Sequence, residues 1–81
     1  MDAKLSRQAE KYLERLDAPT KARIAKGIEA LPAGDVAPLA GRVGVYRLRI
    51  GDYRIFFRYG LAQGVAIVGR IAPRGDAYKG V

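Results

Sequence analysis

The spacing of apolar residues changes once along the chain, from a helical period to an alternating one. Ala9, Tyr12, Leu13 and Leu16 fall at i, i+3, i+4 and i+7, with Lys11, Glu14 and Arg15 between them. This predicts a helix over residues 7–16 with its apolar side turned inward. Ser6 is placed to cap it, because its hydroxyl can accept from a backbone N–H that has no partner within the helix. Asp17-Ala18-Pro19 ends this helix, and Pro19 suits the first turn of a second, where no N–H is needed. Ile24, Ile28 and Leu31 form the apolar stripe of the second helix, over residues 19–31, and Leu31-Pro32-Ala33-Gly34 stops it. So short a link predicts an antiparallel helical hairpin.

Residues 35–44, rich in Gly, Pro and Ala, are expected to be a loop. Beyond them the period becomes two. Residues 45–50 and 53–59 are predicted strands, joined by Gly51-Asp52 as a type II′ turn with glycine at its first central position. Residues 60–64 form a second turn, and residues 65–72 a third strand that Pro73 ends. A short strand at Ala3–Leu5 is weakly marked. The fold class is α+β: an N-terminal helical hairpin packed on a small, mostly antiparallel three- to four-stranded sheet, in one domain spanning 1–81.

The two-residue turn fixes a register. Ile50 opposes Tyr53, Arg49 opposes Arg54, Leu48 opposes Ile55, Arg47 opposes Phe56 and Tyr46 opposes Phe57. Paired residues share a face and faces alternate along a strand. One face therefore collects Tyr46, Leu48, Ile50, Tyr53, Ile55, Phe57 and Tyr59, and is the core face. The other collects Arg47, Arg49, Arg54 and Arg58 around Phe56. Strict alternation in the third strand would add Ala66, Val68 and Arg70 to this basic side, with Arg74 within reach. Carboxylates are expected only at its rim, as Asp52 and Asp76. A solvated sheet face must be polar, but one that merely meets water would mix acidic and neutral residues with arginine. Like charges set opposite one another, as Arg49 and Arg54 are, destabilise a strand pair. The arginine face is therefore a candidate binding surface. Phe56 could stack on a base or simply shield the sheet.

Composition sharpens this. The 81 residues carry 15 Lys and Arg against 8 Asp and Glu, a formal net charge of +7. That excess favours a polyanionic partner, nucleic acid before others. There is no Cys, which excludes disulfides, zinc–thiolate sites and thiol nucleophiles, and no His, the commonest general base and metal ligand. Chemistry is left to Arg, Lys, Tyr, Asp or Glu, and no cofactor or metal is expected. No apolar run approaches the roughly 18 residues of a membrane span. A cytoplasmic protein with no membrane partner is the expectation.

Leu39-Ala40-Gly41, the run Gly44-Val45-Tyr46-Arg47-Leu48-Arg49-Ile50-Gly51-Asp52-Tyr53-Arg54-Ile55-Phe56-Phe57 and the terminal Arg74-Gly75-Asp76-Ala77-Tyr78 together resemble the RelE/ParE family of toxins from toxin–antitoxin pairs, on the RelE-like side. Gln8 to Leu13 and the helical hairpin fit the family's N-terminal half. The resemblance implies a toxin held inactive by a cognate antitoxin. In RelE-like members the activity is cleavage of mRNA in the ribosomal decoding site by attack of the 2′-hydroxyl on the adjacent phosphate, without metal. ParE-like members poison DNA gyrase instead, and a nucleic-acid-binding module without catalysis is a third possibility.

The family's site carries over onto Arg47, Arg49, Arg54, Arg74 and Tyr78; taken with the basic face, the candidate catalytic residues are Arg47, Arg54, Arg74 and Tyr78, and the candidate RNA-binding residues are Arg49, Arg58, Arg70 and Phe56. Arg47 and Arg49 stand where well-studied members often have lysines, and Ala72 stands where some have a further arginine, for which Arg70 could substitute. Arginine matches phosphate well but stays protonated. The proton steps therefore fall to Tyr78, as general base or as the group that orients and stacks the nucleotide, with Asp76 the weaker candidate base.

Overall fold

A computed structural model describes residues 1–61 and 64–73. Among them the chain runs β1 (Asp2–Leu5), α1 (Arg7–Glu14), α2 (Ala18–Glu29), β2 (Asp35–Pro38), β3 (Tyr46–Ile50), β4 (Tyr53–Tyr59) and β5 (Val65–Pro73). Both helices start where a side chain can cap them. The Ser6 hydroxyl accepts from the Ala9 N–H at 3.1 Å. The Asp17 carboxylate accepts from the Thr20 hydroxyl at 2.7 Å and from its N–H at 3.0 Å. These two bonds, the hydroxyl's above all, hold the Asp17 carboxyl below its ordinary range. This cap is therefore complete above the usual aspartate pKa and is lost as the pH falls through the lowered value. No helix among the described residues is long and apolar enough to cross a membrane.

The strands form one sheet in the order β1-β5-β4-β3-β2. All neighbours are antiparallel except β1 and β5. The β3–β4 register is the one the turn dictates, from Ile50 opposite Tyr53 to Tyr46 opposite Phe57. Gly51 has φ +57° while Asp52, like every other described non-glycine residue, does not have positive φ, the signature of a II′ turn.

The sheet has five strands where three to four are expected. Asp35–Pro38, expected within a loop, is β2, paired with β3 from Asp35 opposite Arg49 to Pro38 opposite Tyr46. Four residues ending in proline give too little alternation to be recognised as a strand. Proline is tolerated because β2 is an edge strand, with a neighbour on one side only. β1 is the other edge and covers Asp2–Leu5, one residue more than the weak signal at Ala3–Leu5. Its partner β5 lies some 60 residues away, with Asp2 opposite Val65, so local sequence carries no trace of the pairing.

The core lies between the helices and one face of the sheet. Ala9 of α1 and Ile24 and Ile28 of α2, with Leu31 just beyond, meet Leu48, Ile55, Phe57, Ala66, Val68 and Ile71. Gly27 lets α2 approach closely, because a Cβ there would overlap the end of the Ile50 side chain. Tyr12 meets Tyr53 edge to face, ring centres 6.3 Å apart, and joins α1 to β4. Tyr46 packs on Phe57 at 5.8 Å, the packing role expected of it. Beyond the end of β1, the start of α1 takes over the edge of β5. The Ser6 N–H donates to the Val68 carbonyl at 2.8 Å and its hydroxyl to the Gly69 carbonyl at 2.7 Å. The Gln8 amide both donates to the Ile71 carbonyl and accepts from the Ile71 N–H, each at 3.2 Å, as a strand would.

One feature of β5 breaks the expected alternation. Phe56 opposes Arg70 and Phe57 opposes Val68, which leaves Gly69 as the extra residue of a β-bulge. Residues before the bulge are thereby moved to the other face. Ala66 and Val68 are wholly buried in the core instead of joining the arginines, while Ile67 is 39% exposed beside Arg58. Arg70 remains on the basic side, opposite Phe56.

Candidate functional site

The face turned away from the helices is built by register. Arg47 and Arg49 of β3 stand opposite Phe56 and Arg54 of β4. Arg70, Ala72 and Ile67 of β5 stand opposite Phe56, Arg54 and Arg58. Lys4 of β1 continues the row opposite Ile67. Five of the arginines expected on one face, Arg47, Arg49, Arg54, Arg58 and Arg70, thus share it. Arg74, Asp76 and Tyr78 lie outside the described residues.

A carboxylate stands among these arginines, where only rim carboxylates are expected. Asp35 of β2 is opposite Arg49, and its two oxygens divide between two arginines: Oδ2 lies 2.7 Å from Arg49 Nε and Oδ1 3.7 Å from Arg47 Nη2. It offsets the repulsion of Arg49 and Arg54 across the β3–β4 pair. Sequence reasoning missed it because Asp35 joins this face only through the pairing of β2.

Arg54 is in a different state. It is 7% exposed, and its Nη1 donates only a long 3.4 Å hydrogen bond to the Tyr53 carbonyl. Its Nε has no hydrogen-bond partner among the described residues, and none of their carboxylates is within ion-pair distance of it. Ala72, opposite it, places no second cation there. Phe56 is 4% exposed, so its ring shields the sheet and offers no open face for stacking.

Past Phe56 the face opens into a cleft of about 460 Å³ lined by Arg42, Arg58 and Arg70 with Phe56, Ile67 and Gly69. Arg42, from the segment between β2 and β3, carries no sequence signal for this role. Only the path of that segment brings it over β4 and β5.

Residues 3–78 match the family of ParE toxins of type II toxin–antitoxin (parDE) systems. The chain belongs to this family. Comparison with curated proteins finds no match. Among solved structures, this ParE-family toxin resembles the archaeal RelE–RelB complex of Pyrococcus horikoshii OT3, at 28% identity and TM-score 0.73 over 94% of this chain and 97% of that one. The RelB–RelE antitoxin–toxin complex of Methanococcus jannaschii matches at 22% identity and TM-score 0.72, covering 91% and 93%. The intact RelBE complex of E. coli matches at 15% identity and TM-score 0.68, covering 89% and 94%. The latter two share the fold. The resemblance to RelE/ParE toxins drawn from the sequence is thus established, as is the α+β fold.

Proposed function

We propose that this toxin is a metal-independent endoribonuclease that cuts mRNA in the decoding site of cytoplasmic ribosomes, and that a cognate antitoxin masks it. The observation that carries the reading is Arg54, a buried cation with a donor left over, set in a face of arginines. A buried donor without a partner costs about 1–3 kcal/mol, and a phosphate oxygen is the acceptor that an arginine fork matches best.

In the reaction the 2′-hydroxyl gives up its proton and attacks the adjacent phosphorus. The bond to the 5′-oxygen breaks and that oxygen takes a proton, leaving a cyclic phosphate and a 5′-hydroxyl. Charge gathers on the phosphorane oxygens, where fixed guanidinium groups stabilise it. Arg54 holds the scissile phosphate, with Arg47 and Arg74 assisting. Arg49 and Arg70 bind the strand on either side. Tyr78 serves as general base or orients the nucleotide. The solved relatives are toxin–antitoxin complexes, which supports an antitoxin partner here; its acidic or amphipathic segment would cover the arginine face.

Mapping mRNA 5′ ends in a translation extract, with and without the antitoxin, tests this. Wild-type toxin is expected to cut and the antitoxin to stop it. Arg54→Ala and Tyr78→Phe are expected to fold and bind antitoxin but lose cutting. Full cutting by either variant would remove that residue from the site. A second reading, a gyrase poison without nuclease chemistry, is favoured by the match to ParE toxins. Inhibited supercoiling with intact mRNA would establish it instead.

A further inference from the structure

The arginine face has two parts with different chemistry. Around Arg47, Arg49 and Arg54 it offers guanidinium groups, two of which Asp35 shares. Past Phe56 it becomes concave. There Arg42, Arg58 and Arg70 line a cleft whose exposed apolar floor is Ile67. The bulge at Gly69 sets Ile67, rather than Val68, outward opposite Arg58. Neither of the described ion pairs reaches Arg42 or Arg58, whose side chains are exposed.

An apolar floor walled by guanidinium groups suits a ligand that is flat and apolar on one side and anionic on the other. A nucleobase with its phosphate is such a ligand: the base lies on the floor, guanidinium planes stack against it, and the phosphate takes the remaining donors. The cleft, at about 460 Å³, falls within the roughly 300–1,000 Å³ of small-ligand sites. Arg58 is four residues beyond Arg54 on the same strand, about 13 Å at strand rise, so an RNA held at Arg54 reaches the cleft within a few nucleotides.

We propose that this cleft is a second nucleotide subsite. It holds the base and phosphate of a nucleotide a short way along the strand from the bond that is cut, and thereby biases which sequences are cut. This rests on RNA being the ligand of the arginine face. Arg42 and Arg58 bind the phosphate here and take no part in the reaction at Arg54.

The test is equilibrium binding of a labelled single-stranded RNA hexanucleotide across a salt series, together with 5′-end mapping in a translation extract. The proteins are wild type, Arg42→Ala, Arg58→Ala and, as a control for lost charge, Lys21→Ala on the exposed face of α2. Each cleft variant is expected to weaken the hexanucleotide roughly tenfold beyond the control. Each should also lower the slope of log affinity against log salt by about 0.7, the value for one phosphate contact on a single strand. Arg42→Ala, which lies outside the site residues named from the sequence, should continue to cut but at a changed set of sequences. Cleft variants that match Lys21→Ala in affinity, slope and cut sites overturn the subsite, even if wild-type toxin cuts as proposed. If wild-type toxin cuts nothing while the cleft variants still lose RNA affinity, the cleft stands as a nucleotide-binding subsite, and the nuclease reading falls together with the bias on cutting.

Discussion

The two faces of one sheet solve opposite problems. On the helix side Leu48, Ile55, Phe57, Val68 and Ile71 are almost wholly buried under α1 and α2. Their side chains find partners within the fold. On the other side the same strands carry Arg47, Arg49, Arg54, Arg58 and Arg70, cations that repel one another. Asp35 answers two of them and none of the described carboxylates answers Arg54. The first face makes the fold stable. The second opposes it slightly, through the repulsion of its cations.

The comparison is sharpened by breaking each face in turn. Phe57→Ala empties the centre of the core face and is expected to cost about 3–5 kcal/mol in denaturant unfolding. A cost under 1 kcal/mol would show that this ring is not part of a packed core. Gln8→Ala leaves the Ile71 N–H and carbonyl without the partner that α1 supplies. A loss of about 2 kcal/mol is expected, with faster amide exchange at Ile71. Unchanged exchange would mean that the edge of β5 does not depend on Gln8.

The basic face should respond in the other direction. Arg54→Met keeps the bulk and removes the buried charge. Stability is expected to hold or rise by about 1 kcal/mol, while phosphate binding is lost. A loss of 2 kcal/mol or more in calorimetry would make Arg54 a structural residue. Asp35→Asn should have the smallest effect on stability, under about 1 kcal/mol, because both of its ion pairs are partly exposed. It should nevertheless raise affinity for single-stranded RNA several-fold at low salt, and the gain should shrink as salt screens it. Unchanged affinity would mean that Asp35 does not compete with phosphate for Arg47 and Arg49.

Most of the central hairpin was legible because its determinants are local. A glycine in the first place of a two-residue turn sets the pairing of β3 with β4, and the pairing sets both faces. The caps at Ser6 and Asp17 begin the helices within a residue of where the pattern starts them, though both helices end two residues early, at Glu14 and Glu29. The site was legible to the same extent. Arg47, Arg49, Arg54, Arg58 and Arg70 share a face as the alternation requires, whereas the burial of Phe56 was not fixed by it. Asp35 and Arg42 were invisible, since each reaches the face through chain paths rather than through a period.

By itself the sequence determined which residues could pair across the Gly51-Asp52 turn, which side of each helix is apolar, and that cations would gather opposite the core. Tertiary structure alone decided that Asp2–Leu5 and Asp35–Pro38 become edge strands, that the bulge at Gly69 sends Val68 inward and Ile67 outward, and that Arg54 is buried without an acceptor for its Nε among the described residues. The reason is range: turns, caps and periodicity act between near neighbours, whereas edge pairing, a bulge and burial depend on segments far apart in the chain competing for the same space and the same hydrogen bonds.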